Sequence, residues 1–260
     1  MKISKKFAEL EKRGEKALIL YIMCGDPSPE KTVELAEQVI KAGCDVLELG
    51  LPFSDPLADG PTIQVAGQRA IAAGMNTDRY FETCTKIGSG SSSVPKVCMT
   101  YYNLIYQYGL ERFAARCAES GISGLIVPDL PPEEAKPLKN ACGASHIDLI
   151  YIVSPQSSEQ RLTQIKKARP KGFIYLQSVL GVTGARDSMK VELSKKITDI
   201  KRVFNLPVAV GFGVSKPEQV KELVAQGADG IIVGSALVKL AAEGGDVEAF
   251  VRSLKVACTK

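Results

Sequence analysis

The chain has 260 residues, of which 45% are hydrophobic, and both values suit one large α/β domain spanning residues 1–260. Its 33 basic and 29 acidic residues leave a net charge of +4 without forming a basic block, so we expect no nucleic-acid partner. The apolar runs are no longer than strands, and the charged N-terminus lacks the apolar core of a signal peptide. We therefore expect a cytoplasmic protein without a membrane span.

Strands and helices alternate along the chain after a charged N-terminal helix that has Phe7 and Leu10 on one side. The predicted strands cover residues 17–24, 46–49, 96–101, 124–127, 147–153, 173–177, 207–210 and 230–233. The predicted helices cover residues 29–42, 62–73, 77–87, 110–120, 132–141, 158–168, 189–204, 216–226 and 246–258. About eight strands, each followed by a helix, favour a closed (β/α)₈ barrel with an extra N-terminal helix over an open doubly wound sheet.

Three joins between a helix and the next strand look alike, because each contains a glycine that can end a helix in the left-handed conformation. These glycines are Gly43, Gly121 and Gly227. They indicate repeated units of one architecture. In a barrel of this kind the active site lies at the C-terminal ends of the strands.

Glu48 is a carboxylate within an apolar strand, in the run VLELGLPFSDPLADGPTIQ at residues 46–64. Strand alternation places it on one face with Val46, and both faces of the strand look buried. Burial disfavours the charged form, so we expect a raised pKa and a side chain that can donate a proton as well as accept one. The alternative is an internal ion pair, but the only basic residue in the predicted strands, Lys96, lies at the wrong end of its strand.

Asp59 lies in the loop after that strand and could reach the same pocket. With partial access to solvent it is expected to stay ionised and act as an acceptor, although a turn or cap role before Gly60 and Pro61 is an equal alternative. Asp26 and Asp129, each beside a proline at a strand end, are interpreted as turn residues. The only histidine, His146, cannot by itself form a histidine-based metal cluster, and the seven scattered cysteines without a CxxC pair indicate reduced structural thiols.

Glycines follow each of the last three predicted strands, where barrels of this class commonly bind phosphate. Backbone N–H groups can approach an anion closely where a side chain is missing, and a hydroxyl at a helix start can assist. The sequence therefore predicts a phosphate site without a nucleotide P-loop. Its candidate residues are Gly184, Gly211, Gly213, Gly234 and Ser235.

Four tyrosines fall within MTYYNLIYQYG, the predicted loop after the third strand: Tyr101, Tyr102, Tyr106 and Tyr108. Tyrosine combines an apolar ring with a polar tip, so the group could form a subunit interface or the rim of a pocket. Simple packing beneath the loop explains the pattern equally well.

Five motifs in order resemble the tryptophan synthase α subunit family: LELGLPFSDPLADGPTIQ, MTYYNLIYQYG, VPDLPPEEA, GVTGAR and GFGVSKPEQV. The resemblance covers essentially the whole chain. It implies a (β/α)₈ lyase that cleaves indole-3-glycerol phosphate to indole and glyceraldehyde 3-phosphate. It also implies no cofactor or metal in this subunit, a β subunit that carries pyridoxal phosphate, and an αββα complex through which indole passes.

The resemblance also assigns roles to individual residues. Glu48 matches the catalytic glutamate, Asp59 the aspartate that binds the indole N–H, and Tyr175 a tyrosine near the substrate. Thr183 falls in the loop that closes over the ligand, and Phe212 lies beside the phosphate site formed by the glycines and Ser235.

The sequence departs from the commoner family pattern at Gln177, Val179 and Leu180 before Gly181, and at Met23 and Cys24. These changes are expected to flank the site and to affect loop closure or affinity for β more than the reaction. Two other functions remain as alternatives: an α subunit that mainly activates β, and a different phosphate-binding barrel such as a sugar-phosphate isomerase.

Overall fold

Eight parallel strands close into a barrel in the computed structural model, each pairing with the next and the last with the first. The structure describes residues 1–88, 94–177, 186–211 and 213–259, with only the backbone for 186–190. The strands are β1 (Ala17–Met23), β2 (Val46–Gly50), β3 (Lys96–Met99), β4 (Ile122–Ile126), β5 (Asp148–Val153), β6 (Ile174–Gln177), β7 (Val208–Gly211) and β8 (Gly230–Val233). The predicted (β/α)₈ barrel is therefore confirmed.

The helices follow the strands around the outside, and one precedes them. They are α1 (Ile3–Lys12), α2 (Pro29–Ala42), α3 (Pro61–Ala72), α4 (Thr77–Lys86), α5 (Tyr102–Tyr108), α6 (Leu110–Glu119), α7 (Lys136–Ala144), α8 (Glu159–Lys167), α9 (Arg186–Phe204), α10 (Pro217–Ala225), α11 (Ser235–Ala242) and α12 (Val247–Ala257). None of the helices in the described ranges is long and apolar enough to cross a membrane.

Three segments differ from the sequence prediction, and one of them is helix α11, which the predicted helices do not include. The loop expected after the third strand is mostly the helix α5, whose first N–H donates to the Asp129 carboxylate at 2.9 Å. A cap that comes from the next strand's loop leaves no local signal in the sequence. Helix α7 begins at Lys136 instead of residue 132, after the proline pair at 131 and 132.

The core has two layers, and α1 closes the N-terminal end of the barrel. Side chains inside the barrel, such as Val46 and Ile232, pack with Phe7 and Leu10 of α1, whereas Leu47 and Leu49 face the surrounding helices. The Phe7 ring lies 5.8 Å from that of Phe173. Burying each of these large side chains stabilises the fold by about 1.5–3 kcal/mol, so this end is sealed and the C-terminal end is left for a site.

Polar groups at the N-terminal end of the barrel serve the fold. The Asp45 carboxylate accepts from the backbone N–H of Leu18 at 2.9 Å and from the ammonium of Lys255 at 2.8 Å. The Lys96 ammonium donates to the carbonyls of Cys84 and Ile87 near the end of α4. The Lys96 ammonium is thus hydrogen-bonded at the end of the barrel away from Glu48, as the sequence predicted.

Left-handed glycines end the helices at the three similar joins, with φ angles of 118° at Gly43, 73° at Gly121 and 98° at Gly227. This confirms the helix stops inferred from the sequence. All seven cysteines are buried and unpaired, as expected for structural thiols.

Candidate active site

A cavity of about 360 Å³ opens where the barrel strands end. Its polar lining comes from strands on several sides of the barrel and from the loop between β2 and α3. The polar side chains are those of Tyr21, Glu48, Asp59, Thr62, Tyr175, Gln177 and Ser235. The two carboxylates predicted to converge therefore do line one cavity.

Glu48 lies in β2 beside Tyr21 of β1, its register partner, and only 1% of its surface is exposed. Its Oε2 atom is buried and has no hydrogen-bond partner among the described residues. Burial, helped by the negative charge of Asp59, raises the pKa of Glu48 to about 8. The shift has the predicted direction, and it leaves the side chain neutral and able to donate a proton near pH 7.

Asp59 lies one residue before the N-cap of α3, which is Gly60, and no side chain caps that helix. The alternative of a capping role is thus not observed. Burial raises the pKa of Asp59, while a hydrogen bond from the Tyr101 hydroxyl lowers it. The backbone carbonyl of Asp59 accepts from the Gln64 side chain at 2.8 Å, which ties the residue to the first turns of α3.

The tyrosine cluster divides into separate environments. Tyr101 is buried, its ring lies 5.3 Å from that of Phe53, and its hydroxyl accepts from the N–H of Ala58. Tyr106 is 64% exposed, and the Tyr108 hydroxyl donates to Asp78 at 2.7 Å. Only Tyr101 therefore acts on the loop that carries Asp59.

The glycines of the predicted phosphate site occupy two kinds of position. Gly213 and Gly234 line the cavity together with Ser235, the first residue of α11. Gly211 lies at the end of β7, where an added Cβ would come within 2.8 Å of the Cβ of Ile232 and 3.0 Å of the Tyr175 hydroxyl. Thr183, Gly184 and Phe212 lie outside the described residues.

Several cavity residues were not singled out in the sequence. Apolar walls come from Met99, Pro128, Ile152 and Ile232, and Tyr21 adds an aromatic ring. Most are the last inward-facing residues of their strands, so the alternation that located Glu48 could have found them. Gln177 also lines the cavity, which corrects the expectation that this departure only flanks the site.

The other polar residues considered in the sequence lie at turns. Asp26 forms two hydrogen bonds of 2.7 Å with Arg69 of α3 and precedes a cis proline, Pro27. Asp129 accepts from the N–H of Tyr102, and His146 adopts a left-handed φ of 58°. Within the described ranges, no group of three or more His, Cys, Asp or Glu side chains could hold a metal ion.

Comparison with known proteins identifies the family. The sequence model described as "Tryptophan synthase alpha chain" matches residues 7–260. The tryptophan synthase alpha chain of Methanosarcina barkeri is 51% identical over 258 residues, covering 98% of this chain and 96% of the relative. That of Methanocaldococcus jannaschii is 46% identical and covers 92% and 84%.

Solved structures agree with these relatives. Tryptophan synthase subunit alpha from Legionella pneumophila superposes with a TM-score of 0.87 at 36% identity, covering 98% of this chain and 97% of that one. A chain of Mycobacterium tuberculosis tryptophan synthase gives a TM-score of 0.90 at 35% identity, covering 99% and 98%. With the resemblance seen in its motifs confirmed by these matches, the chain belongs to the tryptophan synthase alpha chain family.

Proposed function

We propose that this chain cleaves indole-3-glycerol phosphate to indole and glyceraldehyde 3-phosphate, with Glu48 and Asp59 as its catalytic residues. The cleavage is the reaction of the family to which the chain belongs. The observation that carries the residue roles is the Glu48 carboxyl, which lines the cavity, is buried, lacks a partner at Oε2, and has a pKa of about 8. A neutral carboxylic acid in an apolar wall is suited to protonating a carbon atom.

The proton transfers balance over one turnover. Protonated Glu48 gives its proton to C3 of the indole ring, and the positive charge that develops on the ring is stabilised by the Asp59 carboxylate at the indole N–H. The Glu48 carboxylate then takes the proton of the glycerol 3′-hydroxyl while the bond between that carbon and C3 breaks. The products are an aldehyde and neutral indole, and Glu48 is again protonated.

The phosphate is assigned to the part of the cavity formed by Gly213, Gly234 and Ser235. Support comes from their place in the cavity lining and from Ser235 at the start of a helix, where backbone N–H groups favour an anion. Tyr175 is assigned to the substrate wall, where its half-buried ring lies beside both carboxylates. The roles of Gly184, Gly211, Thr183 and Phe212 rest on the match of their motifs to the family.

An alpha chain of tryptophan synthase implies a β-subunit partner. The finer assembly is part of our proposal: an αββα complex in which indole passes to a β subunit that carries pyridoxal phosphate, while this chain uses no cofactor. The proposal also includes a single (β/α)₈ domain over residues 1–260, a cytoplasmic location, and no nucleic-acid or membrane partner.

Assays of the variants Glu48→Gln and Asp59→Asn test the residue roles. Each is expected to lower kcat for release of glyceraldehyde 3-phosphate by about 100-fold or more, the scale of general acid–base catalysis. Glu111→Gln, an exposed position on α6, serves as the control and should match the parent. Turnover by Glu48→Gln within a few fold of the parent would remove Glu48 from its role.

The chain contains no tryptophan, which gives a second readout. The fluorescence of a bound indole can be excited at wavelengths where the eight tyrosines absorb little, so binding is measured separately from cleavage. Variants that bind indole as the parent does but fail to release the aldehyde have lost chemistry alone. Variants that lose both have lost the cavity, and for these the residue roles would have to be withdrawn.

A further inference from the structure

We propose that Tyr101 is a positioning residue whose hydroxyl bridges the loop backbone at Ala58 and the carboxylate of Asp59, holding that carboxylate toward the cavity. The inference rests on the function proposed for Asp59. The sequence pattern left the tyrosine cluster undecided between an interface, a pocket rim and packing. Contacts on both sides of Tyr101 now distinguish it from its neighbours.

The backbone on either side of Tyr101 is fixed. Thr100 donates its N–H to the carbonyl of Ile126 at 3.1 Å and its hydroxyl to that of Leu51 at 3.3 Å. Tyr102, on the other side, donates its N–H to Asp129 at 2.9 Å. Tyr101 itself is only 3% exposed, so its side chain projects from a rigid base.

The loop of residues 51–60 depends on this side chain. Phe53 contacts the Tyr101 ring near the start of the loop, with ring centroids 5.3 Å apart, and Ala58 donates its N–H to the hydroxyl at 3.0 Å near the end. Between these two contacts the loop is open to solvent, and Leu57 is 87% exposed. Asp59 directly follows the second contact, so Tyr101 determines where its carboxylate lies.

The donor and acceptor pattern of the hydroxyl selects Asp59 as its acceptor. A tyrosine hydroxyl has one hydrogen to donate, and here its oxygen already accepts from the Ala58 N–H. Asp129, the other carboxylate near Tyr101, acts on that residue through its charge alone and accepts the N–H of Tyr102. The hydrogen is therefore free for Asp59, whose pKa it lowers.

The other titratable groups around Asp59 respond to its negative charge. Glu48 in β2, Tyr21 in β1 and Tyr175 in β6 all have their pKa values raised by burial and by the charge of Asp59. The Tyr101 hydroxyl is the group that favours the ionised form. It thus partly offsets the effect of burial on the pKa of Asp59 and orients the carboxylate that accepts an indole N–H.

The experiment compares Tyr101→Phe with Tyr108→Phe. The first substitution removes the hydroxyl and keeps the ring against Phe53. The second removes a hydroxyl that also binds a carboxylate, that of Asp78, but outside the cavity lining. We expect Tyr101→Phe to lower kcat by about 10- to 100-fold, the range for a hydrogen bond to a charged group, with a smaller change in KM.

The pH profile distinguishes positioning from general structural damage. Loss of the donor raises the pKa of Asp59, so the acidic limb of kcat/KM should move to higher pH in Tyr101→Phe and stay in place in Tyr108→Phe. In an Asp59→Asn background, Tyr101→Phe should cause little further loss of kcat, because the group it positions is gone. An unmoved acidic limb, or a full additional loss in that background, would overturn the inference.

Two results keep this inference separate from the proposed function. An active Asp59→Asn variant would refute the role of Asp59 itself, whereas an inactive one combined with an unchanged Tyr101→Phe profile would refute only the bridge. If Tyr101→Phe does not fold, 3-fluorotyrosine placed at position 101 alone is the second variant. Its more acidic hydroxyl is a stronger donor and should move the acidic limb to lower pH, and a shift to higher pH or none at all would count against the bridge.

Discussion

The burial of Glu48 predicts that this side chain destabilises the folded chain as the pH rises. The pKa of Glu48 is about 8 in the folded chain against 4.5 for the free side chain. Between these values the folded state holds a proton that the unfolded state has lost. Stability contributed by the neutral acid is therefore lost as the pH rises, which is opposite to the usual behaviour of a paired carboxylate.

The variant Glu48→Gln isolates this effect, because it replaces the acid with a neutral group of similar shape. Free energies of unfolding are measured for the parent and the variant at a series of pH values, and groups common to both cancel in the difference. From about pH 5.5 to about pH 7.5 that difference should rise by about 2.5 kcal/mol in favour of the variant. The buried amide of the variant adds a constant to the difference in unfolding free energy and does not affect how that difference changes with pH.

Urea titrations followed by far-UV circular dichroism provide the measurement, with equal m-values required of the two proteins. Glu15→Gln is the matched control. A hydrogen bond to Lys255 lowers the pKa of Glu15, so its contribution is complete above the free value and its difference should be flat over this range. A flat difference for Glu48→Gln as well would refute the argument that burial holds Glu48 neutral.

Three further predictions follow from the geometry. The alkaline limb of kcat/KM should lie near pH 8 in the parent. In the residual activity of Asp59→Asn it should lie at lower pH, because the Asp59 charge that raises the pKa of Glu48 is gone. Measured pH profiles of the parent and the variant test this. Gly211→Ala should destabilise the chain by about 1–3 kcal/mol in urea titrations, because the added Cβ would lie 2.8 Å from a side-chain carbon of β8. Gly143 has open space around it, so the control Gly143→Ala should not destabilise the chain. Phe7→Ala should cost about 3–5 kcal/mol by the same measurement and leave KM unchanged, since α1 closes the opposite end of the barrel.

The sequence was informative where the side-chain alternation of a single strand determines the position of a residue. Alternation in β2 placed Glu48 on the same face as Val46, which is the inner face of the barrel, and the same rule explains why Tyr21 and Ile152 also line the cavity. The bridge between Tyr101 and the loop before α3 could not be predicted, because it joins residues about forty positions apart. Helix α5 was missed for the same reason, since its first N–H is bound by Asp129.

The carboxylates at the two ends of the barrel have contrasting environments, which supports the roles proposed for them. Asp45 and Asp229, at the N-terminal ends of β2 and β8, each accept a backbone N–H and a lysine ammonium. Those partners hold both carboxylates in fixed positions within the fold. The pKa values of Glu48 and Asp59, at the C-terminal end of the barrel, are instead raised by burial. No cation in the described part of the chain contributes to either shift. The barrel thus places its ion-paired carboxylates where α1 seals it and leaves Glu48 without a partner at Oε2 at the open end, where a substrate can supply one.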